Sequence, residues 1–450
     1  MFYFISDFPM DEYYQNCGNT YRLIQKPWKM ISPYYSKKQY GENVTCKWTF
    51  IGDTNCTPEF SCRKFELRKL DDDCSTEYVK VSDGFGGEQS FCGKQTFEKP
   101  IRASQGTRDL FVEFKSAEDA KFPEKTAGFF CEAKCSKNIG NTQEIPVVKH
   151  KKEDSRCVCG IQNKDDRIVG GEDAKMNEFP WQTAIILAGT RSPMCGGSVI
   201  NDRFILTAAH CFALQPKKVK AEAIEVLIHA WLLDQTLKGN WADKPLGELG
   251  SIQSSGYNLT KVTDEQEHSQ RFKVAEIINH PLFTSKYDYD VSLLRLEKKI
   301  DLSAADAPTP ICLPGPGQYE QTFEAETPTV IGWGMAADNA GGTTRVLQKL
   351  KVPVINLKVC QSWMSSVLTQ RMLCAGYENG EKDACMGDSG GPLGYQQPNK
   401  QWKQIGVVSW GEGCARKHRP GYYSRLTELI QWVNHHTLDN SATWCKDTKA

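Results

Sequence analysis

The sequence predicts an all-β chain of two successive domains with one helix near its end, and three observations predict it. Short alternating apolar stretches and short apolar runs recur along the 450 residues, broken by Gly and Pro, which is the pattern of many short strands. A polar tract at 136–167, with Lys149, Lys151, Lys152, Glu153 and Asp154 close together, has no periodicity and reads as an exposed linker between 17–135 and 168–445. One late segment, Leu426 to Val433, places Leu426, Ile430 and Val433 at helical spacing.

Composition bounds the function. Lys plus Arg and Asp plus Glu number 55 each, so no global charge favours nucleic acid or an anionic membrane. No apolar run is long enough for a membrane span. The 18 cysteines are the loudest signal. Metal binding would need His or further Cys at finger spacing beside Cys157-Val-Cys159 or Cys131 and Cys135, and none stands there. Disulfides in an oxidising compartment are the better reading. The sequons at Asn43, Asn55 and Asn258 agree with it and mark glycosylation candidates. Met1 to Cys17 lacks Lys and Arg, and Asp7, Asp11 and Glu12 interrupt its apolar residues. That is not a signal peptide, so either the true start lies upstream or this start is misassigned.

In the first domain, Tyr78-Val79-Lys80-Val81-Ser82 alternates and ends at the turn signal Asp83-Gly84, and Leu110 to Phe114 alternates too. The order Cys17, Tyr40-Gly41, Cys46-Lys47-Trp48, Cys74, Tyr78 to Gly84, Phe91-Cys92-Gly93, Gly128-Phe129-Phe130 resembles a CUB domain, a β-sandwich. The resemblance implies disulfides Cys17–Cys46 and Cys74–Cys92. Many CUB domains bind calcium through convergent carboxylates. Here Glu77 and Asp83 stand near that site, but the upstream acidic position is Arg68 or Lys69. A cation opposes a divalent ion, so Glu77 and Asp83 read as solvated strand-end residues, with no metal site and no cofactor.

Three motifs in the second domain carry chemistry: Leu206-Thr207-Ala208-Ala209-His210-Cys211, Asp288-Tyr289-Asp290-Val291-Ser292-Leu293-Leu294, and Asp383-Ala384-Cys385-Met386-Gly387-Asp388-Ser389-Gly390-Gly391-Pro392. A serine hydroxyl is a weak nucleophile and needs a base in hydrogen-bond reach. The base, a histidine, needs a buried carboxylate to fix its tautomer. Ser389 is the candidate nucleophile, His210 the base then acid, Asp290 the orienting carboxylate, and the N–H groups of Gly387 and Ser389 the oxyanion hole. Asp288 is the rival of Asp290; the chymotrypsin-like proteases that these motifs resemble have Asp followed by two or three small or apolar residues and then Leu-Leu, which Asp290 meets with Val291 and Leu293-Leu294, so the resemblance implies that Asp288 is solvent-exposed.

These motifs resemble the chymotrypsin-like serine proteases. The resemblance implies two six-stranded antiparallel β-barrels with the site between them, a C-terminal helix, and bridges Cys195–Cys211, Cys360–Cys374 and Cys385–Cys414. It makes Asp383 the floor of the primary pocket, lined by Ser409, Gly411 and Gly421, and hence implies cleavage of a protein or peptide substrate after Arg or Lys. Asp165-Asp166-Arg167-Ile168-Val169-Gly170-Gly171 resembles an activation site. An upstream activating protease, or another copy, would cut after Arg167, and the freed amine of Ile168 would pair with Asp388. Cys159–Cys312 would keep the cleaved parts joined, while the pairing of Cys56, Cys62, Cys131, Cys135, Cys157 and Cys445 stays open.

The CUB-plus-trypsin arrangement resembles arthropod CUB-serine proteases, some of them venom components and others parts of clotting or melanisation cascades. Two other functions compete: a catalytically dead docking scaffold, against which the intact motifs stand, and a CUB domain that binds a protein or glycan partner. The stretch Trp231 to Asn258 exceeds the family pattern. It is either a long surface loop over the cleft rim or a gene-model artefact.

Overall fold

The computed structural model describes residues 20–23, 27–32, 42–52, 56–84, 87–103, 107–118, 128–136, 143–144, 152–163, 172–190, 193–230, 233, 269–304, 307–315, 318, 321–335, 344, 346–380, 387–437 and 442–448. Of the expected features, Cys17, Asn55, Arg167, Ile168, Asn258, Asp383, Cys385 and nearly all of Trp231 to Asn258 lie outside these residues. The chain divides into two compact units, Met1–His150 with Asn434–Leu438 and Lys151–Val433 with Asp439–Ala450. Strands are numbered in chain order.

The first unit is a sandwich of two five-stranded sheets. One runs β1 (Thr20–Leu23), β3 (Thr45–Gly52), β8 (Asp109–Lys115), β5 (Tyr78–Ser82), β6 (Glu88–Phe91); the other runs β10 (Gln143–Glu144), β7 (Ile101–Arg102), β4 (Thr57–Glu66), β9 (Gly128–Ser136), β2 (Trp28–Ile31). Alternation sends Val79 and Val81 of β5 and Leu110, Val112 and Phe114 of β8 into the core, where they meet Phe60, Phe65 and Phe129 of the other sheet. Phe114 and Phe129 pack edge to face with centroids 5.2 Å apart.

Pairing of β4 with β9 sets two disulfides. Its antiparallel register puts Cys62 opposite Cys131 and Pro58 opposite Cys135. Cys62–Cys131 and Cys56–Cys135 therefore staple the two strands. Cys74–Cys92 is also formed, and Cys46 is disulfide-bonded.

The second unit carries two barrels. β13 (Gln182–Leu187), β14 (Pro193–Val199), β15 (Phe204–Thr207), β18 (Ser292–Leu296), β17 (Gln270–Asn279) and β16 (Ile224–Ile228) close into a six-stranded antiparallel barrel. Every residue of β13 is buried, as are Ile205, Val226 and Leu294. The second barrel comes from a row of eight: β12 (Glu172–Asp173), β20 (Gln348–Lys351), β19 (Thr329–Gly332), β23 (Pro392–Gln396), β24 (Trp402–Trp410), β25 (Gly421–Arg425), β22 (Met372–Ala375), β21 (Val354–Ile355). β20 and β21 are two halves of one extended segment interrupted at Val352-Pro353. β20 pairs with β19, and β21 pairs with β22. The row thus closes on itself into a second six-stranded barrel, with β12 as an outer addition. The interruption is where Pro353 offers no N–H to a ladder. Phe323, Val330, Val352, Leu373, Leu393, Ile405 and Tyr423 fill this barrel.

Among the described residues, three α-helices accompany the barrels: α1 (His210–Ala213), α2 (Leu357–Trp363) and α3 (Leu426–Thr437). Asn356 caps α2, its side chain accepting from the N–H of Lys358 at 2.9 Å. The expected helix at Leu426 to Val433 is α3.

More of the polar tract at 136–167 is ordered than its composition indicates. β11 (Glu153–Val158) pairs in parallel with β26 (Trp444–Lys446) beyond α3. Cys157–Cys445 and Cys159–Cys312 bond this segment to the rest of the second unit. Gly160 has φ +69°, and a Cβ there would lie 2.2 Å from the carbonyl oxygen of Trp402, so only glycine lets the segment pass this close. Gln162 then accepts from the indole N–H of Trp402 at 3.0 Å and donates to Glu178 at 3.1 Å. Covalent and hydrogen-bond partners, rather than apolar periodicity, order residues 152–163.

Candidate active site

The site forms where the two barrels meet. His210 opens α1, directly after β15, and Asp290 stands two residues ahead of β18, the strand that pairs with β15. That pairing brings together residues far apart in sequence. Asp290 is fully buried. One carboxylate oxygen accepts the backbone N–H of His210 at 2.8 Å, and the other lies 2.7 Å from His210 Nδ1. A carboxylate only accepts, so Nδ1 is the donor of this pair, and in a neutral ring the lone pair falls to Nε2.

Ser409, at the end of β24, donates to the same Asp290 oxygen at 2.5 Å. The expectation placed Ser409 on the wall of the primary pocket; its hydroxyl reaches Asp290. Ser424 donates its hydroxyl to the Asp290 carbonyl at 2.6 Å. Neither bond to Asp290 is legible in the motifs, because both donors come from the second barrel.

Ser389 sits in the tight turn before β23. Its carbonyl accepts from the Gly196 N–H at 2.7 Å, and the Gly391 N–H closes the turn onto Asp388 at 2.9 Å. Gly390 has φ +80°, and a Cβ there would lie 2.3 Å from Thr207 Oγ1 and 2.6 Å from the Gly196 carbonyl oxygen. Glycine is required by conformation and by space. The next link is covalent: Cys195, beside Gly196, is bonded to Cys211, beside His210. The serine turn and the histidine helix are thus anchored to one strand, β14. Across the barrels, Ser198 of β14 also donates to Gln404 of β24 at 2.6 Å.

Asp388 accepts the Gly334 N–H at 2.7 Å. Gly411 follows Trp410, which stacks on Tyr422 with centroids 4.1 Å apart. Gly421 pairs with Ala375 in the β22–β25 ladder. Cys360–Cys374 is formed, and Cys414 is disulfide-bonded.

Asp288 is a correction. It is not solvent-exposed but buried, at 9% exposure. Arg371 grips it with Nε at 2.8 Å and Nη2 at 2.9 Å, and Thr369 donates at 2.8 Å. Burial works against the Arg371 charge, but the bonds to Asp288, with Tyr289, Asp288 and Glu428 nearby, hold its pKa above the ordinary value. The guanidinium also lies 4.4 Å from the Tyr289 ring centroid. Tyr287 and Tyr289 both have left-handed backbones, φ 60° and 57°, a conformation that costs about 1–2 kcal/mol for a side-chain-bearing residue.

The CUB-like unit holds a second correction. Glu77 and Asp83 are not solvated: their exposures are 1% and 0%. Arg68 binds Glu77 through its backbone N–H at 2.9 Å, through Nε, and through Nη2. The Ala117 N–H donates to the same carboxylate at 3.3 Å. A guanidinium fills the place where convergent carboxylates would take a divalent ion, and these residues do not fit calcium. Asn43, the one sequon residue among those described, is exposed.

Comparison with known proteins agrees with this architecture. Residues 168–241 and 250–433 match the family model for trypsin, and residues 17–132 match that for the CUB domain. The break at 242–249 falls within the long stretch Trp231 to Asn258. Coagulation factor XI of Bos taurus is 34% identical over 285 residues, covering 63% of this chain. The match covers 39% of that relative, so the chain spans well under half of its length.

Proposed function

The chain belongs to the trypsin family of serine proteases, with an N-terminal CUB domain, and from that premise we propose that it is a secreted zymogen, activated by cleavage after Arg167, that hydrolyses peptide bonds after Arg or Lys. The observation that carries the chemistry is the fully buried Asp290 bound to His210 Nδ1 at 2.7 Å. It leaves Nε2 free to take a proton.

Ser389 Oγ attacks the scissile carbonyl carbon while its proton passes to His210 Nε2. The carbonyl oxygen becomes an oxyanion held by the N–H groups of Gly387 and Ser389, a contribution of about 3–4 kcal/mol for one such donor. His210 then gives the proton to the leaving amine, and an acyl-Ser389 ester remains. Water, deprotonated by His210, attacks the ester, and the proton returns to Ser389 as the acid leaves. Asp290 never takes the proton; it holds the ring and stabilises the imidazolium.

Asp383, as the pocket floor, would meet the cationic side chain of the substrate. Asp388 would receive the amine of Ile168 once Arg167 is cut. The disulfides and the CUB domain support an extracellular setting. Among the described residues no helix is long and apolar enough to cross a membrane. Limited proteolysis in an extracellular cascade, or in a venom, fits a narrow protease joined to a targeting domain.

The test is a rate assay on the secreted chain, cut with trace trypsin that is then removed. Arg and Lys chromogenic peptides should turn over only after the cut, with Phe and Ala peptides silent. Ser389→Ala should abolish the activity, and Asp383→Ser should abolish the Arg and Lys preference. No turnover despite a verified Ile168 terminus would overturn the enzyme reading.

A further inference from the structure

We infer that Arg371 is a positioning residue for Asp290: from the second barrel it holds the turn Tyr287–Tyr289 and so sets where the buried carboxylate meets His210. The inference rests on Asp290 as the orienting carboxylate of the proposed mechanism. Its evidence is a closed circuit of contacts. The guanidinium takes both oxygens of Asp288. Asp288 also accepts the N–H of Tyr289 at 3.1 Å, so it fixes the Asp288–Tyr289 peptide, one residue ahead of Asp290. The Tyr289 ring is held by Arg371 and by stacking on His280, with centroids 4.6 Å apart.

On the other side of the circuit, the Arg371 carbonyl accepts the Arg425 N–H at 2.8 Å. Arg425 follows Ser424, which donates to the Asp290 carbonyl. The segment 288–290 is therefore fastened to the second barrel at its start and at its end. Between the fastenings lies Tyr289 in the left-handed region. Such a backbone persists only where its surroundings over-determine it. Without the guanidinium, Tyr289 is free to relax and Asp290 moves with it. A displacement of about 1 Å at a catalytic group costs about a hundredfold in rate.

The experiment uses the full chain, activated at Arg167, with active sites counted by the burst from an acylating ester. In Arg371→Gln, kcat per titrated site should fall about 10- to 100-fold with KM within about threefold. Arg371→Lys, which keeps the charge without the two-pronged grip, should recover part of the loss. Thr369→Val, which removes one donor to Asp288, should lower kcat about three- to tenfold, and it serves if Arg371→Gln is not secreted. A merely structural role would lower the number of titratable sites and leave kcat per site unchanged; that result in Arg371→Gln or in Thr369→Val overturns the inference. Asp290→Asn, assayed in parallel, keeps the two readings apart. If Asp290→Asn retains full kcat, the orienting role of Asp290 itself fails. If it is crippled while the Arg371 and Thr369 variants are normal, only the positioning role fails.

Discussion

Ser409 donates its hydroxyl hydrogen to Asp290 at 2.5 Å, although the two residues belong to different barrels. The bond gives the buried carboxylate a donor besides the two N–H groups of His210. Ser409→Ala should lower kcat ten- to hundredfold, the equivalent of about 1.5–3 kcal/mol for a hydrogen bond to a charged group. Asp290→Asn should lower it by about 10⁴, because the amide favours the wrong tautomer of His210. Steady-state hydrolysis of an Arg peptide on titrated enzyme checks both; equal losses for the two variants would contradict the division of roles.

Arg68 and Glu77 form a buried pair, their side chains 7% and 0% exposed. Removing one partner of such a pair costs about 3–5 kcal/mol. Arg68→Gln should therefore destabilise the CUB unit by that amount, read as loss of its thermal transition or greatly increased proteolysis. Millimolar calcium should leave the melting of the unaltered protein unchanged. A calcium-dependent rise would show that the guanidinium is displaceable.

Lys349 donates to both oxygens of Glu178, at 2.8 and 3.0 Å, in a pair whose side chains are 4% and 2% exposed. Lys349→Met leaves the buried Glu178 carboxyl without its cation. The melting midpoint of the protease unit should fall by roughly 10 °C. Glu178→Leu combined with Lys349→Met should regain most of the loss, since an apolar pair of similar volume avoids the desolvation cost. Scanning calorimetry of the two variants distinguishes these outcomes.

Two disulfides fasten residues 152–163 to the protease unit. After a cut at Arg167, a reducing gel should show two fragments and a non-reducing gel one band. Cys159→Ser with Cys312→Ser should still give one non-reduced band, held by Cys157–Cys445. Only removal of both bridges should separate the fragments under denaturing conditions. Separation in the two-residue variant would mean that the second bridge is not formed in solution.

Sequence patterns carried the strands well where one face is buried, as at 78–82 and 110–114. They carried the late helix for the same reason: Leu426, Ile430 and Val433 repeat at the helical period. They said little about how distant strands meet. Cys62 opposite Cys131 follows from the β4–β9 register, and the Cys157–Cys445 bridge from a strand in a tract with no apolar pattern. At the candidate site, motifs named His210, Asp290 and Ser389 but not what supports them. Ser409, Ser424, Thr369 and Arg371 reach the Asp288–Asp290 segment from the other barrel, and a linear motif holds no record of such contacts. Asp288 and Glu77 depart from expectation in the same way: each carboxylate is buried against an arginine, Arg68 itself buried and Arg371 partly so.

The paired bridges at Cys157 and Cys159 have a kinetic meaning. A protease released from its prodomain diffuses away and samples the whole fluid. One that keeps its CUB domain covalently attached meets any substrate bound near the CUB ligand at an effective concentration on the order of millimolar. Under the proposed function, turnover would depend less on the affinity of the catalytic cleft than on where the CUB domain is moored, and selectivity among proteins with equally cleavable Arg or Lys bonds would become a matter of address.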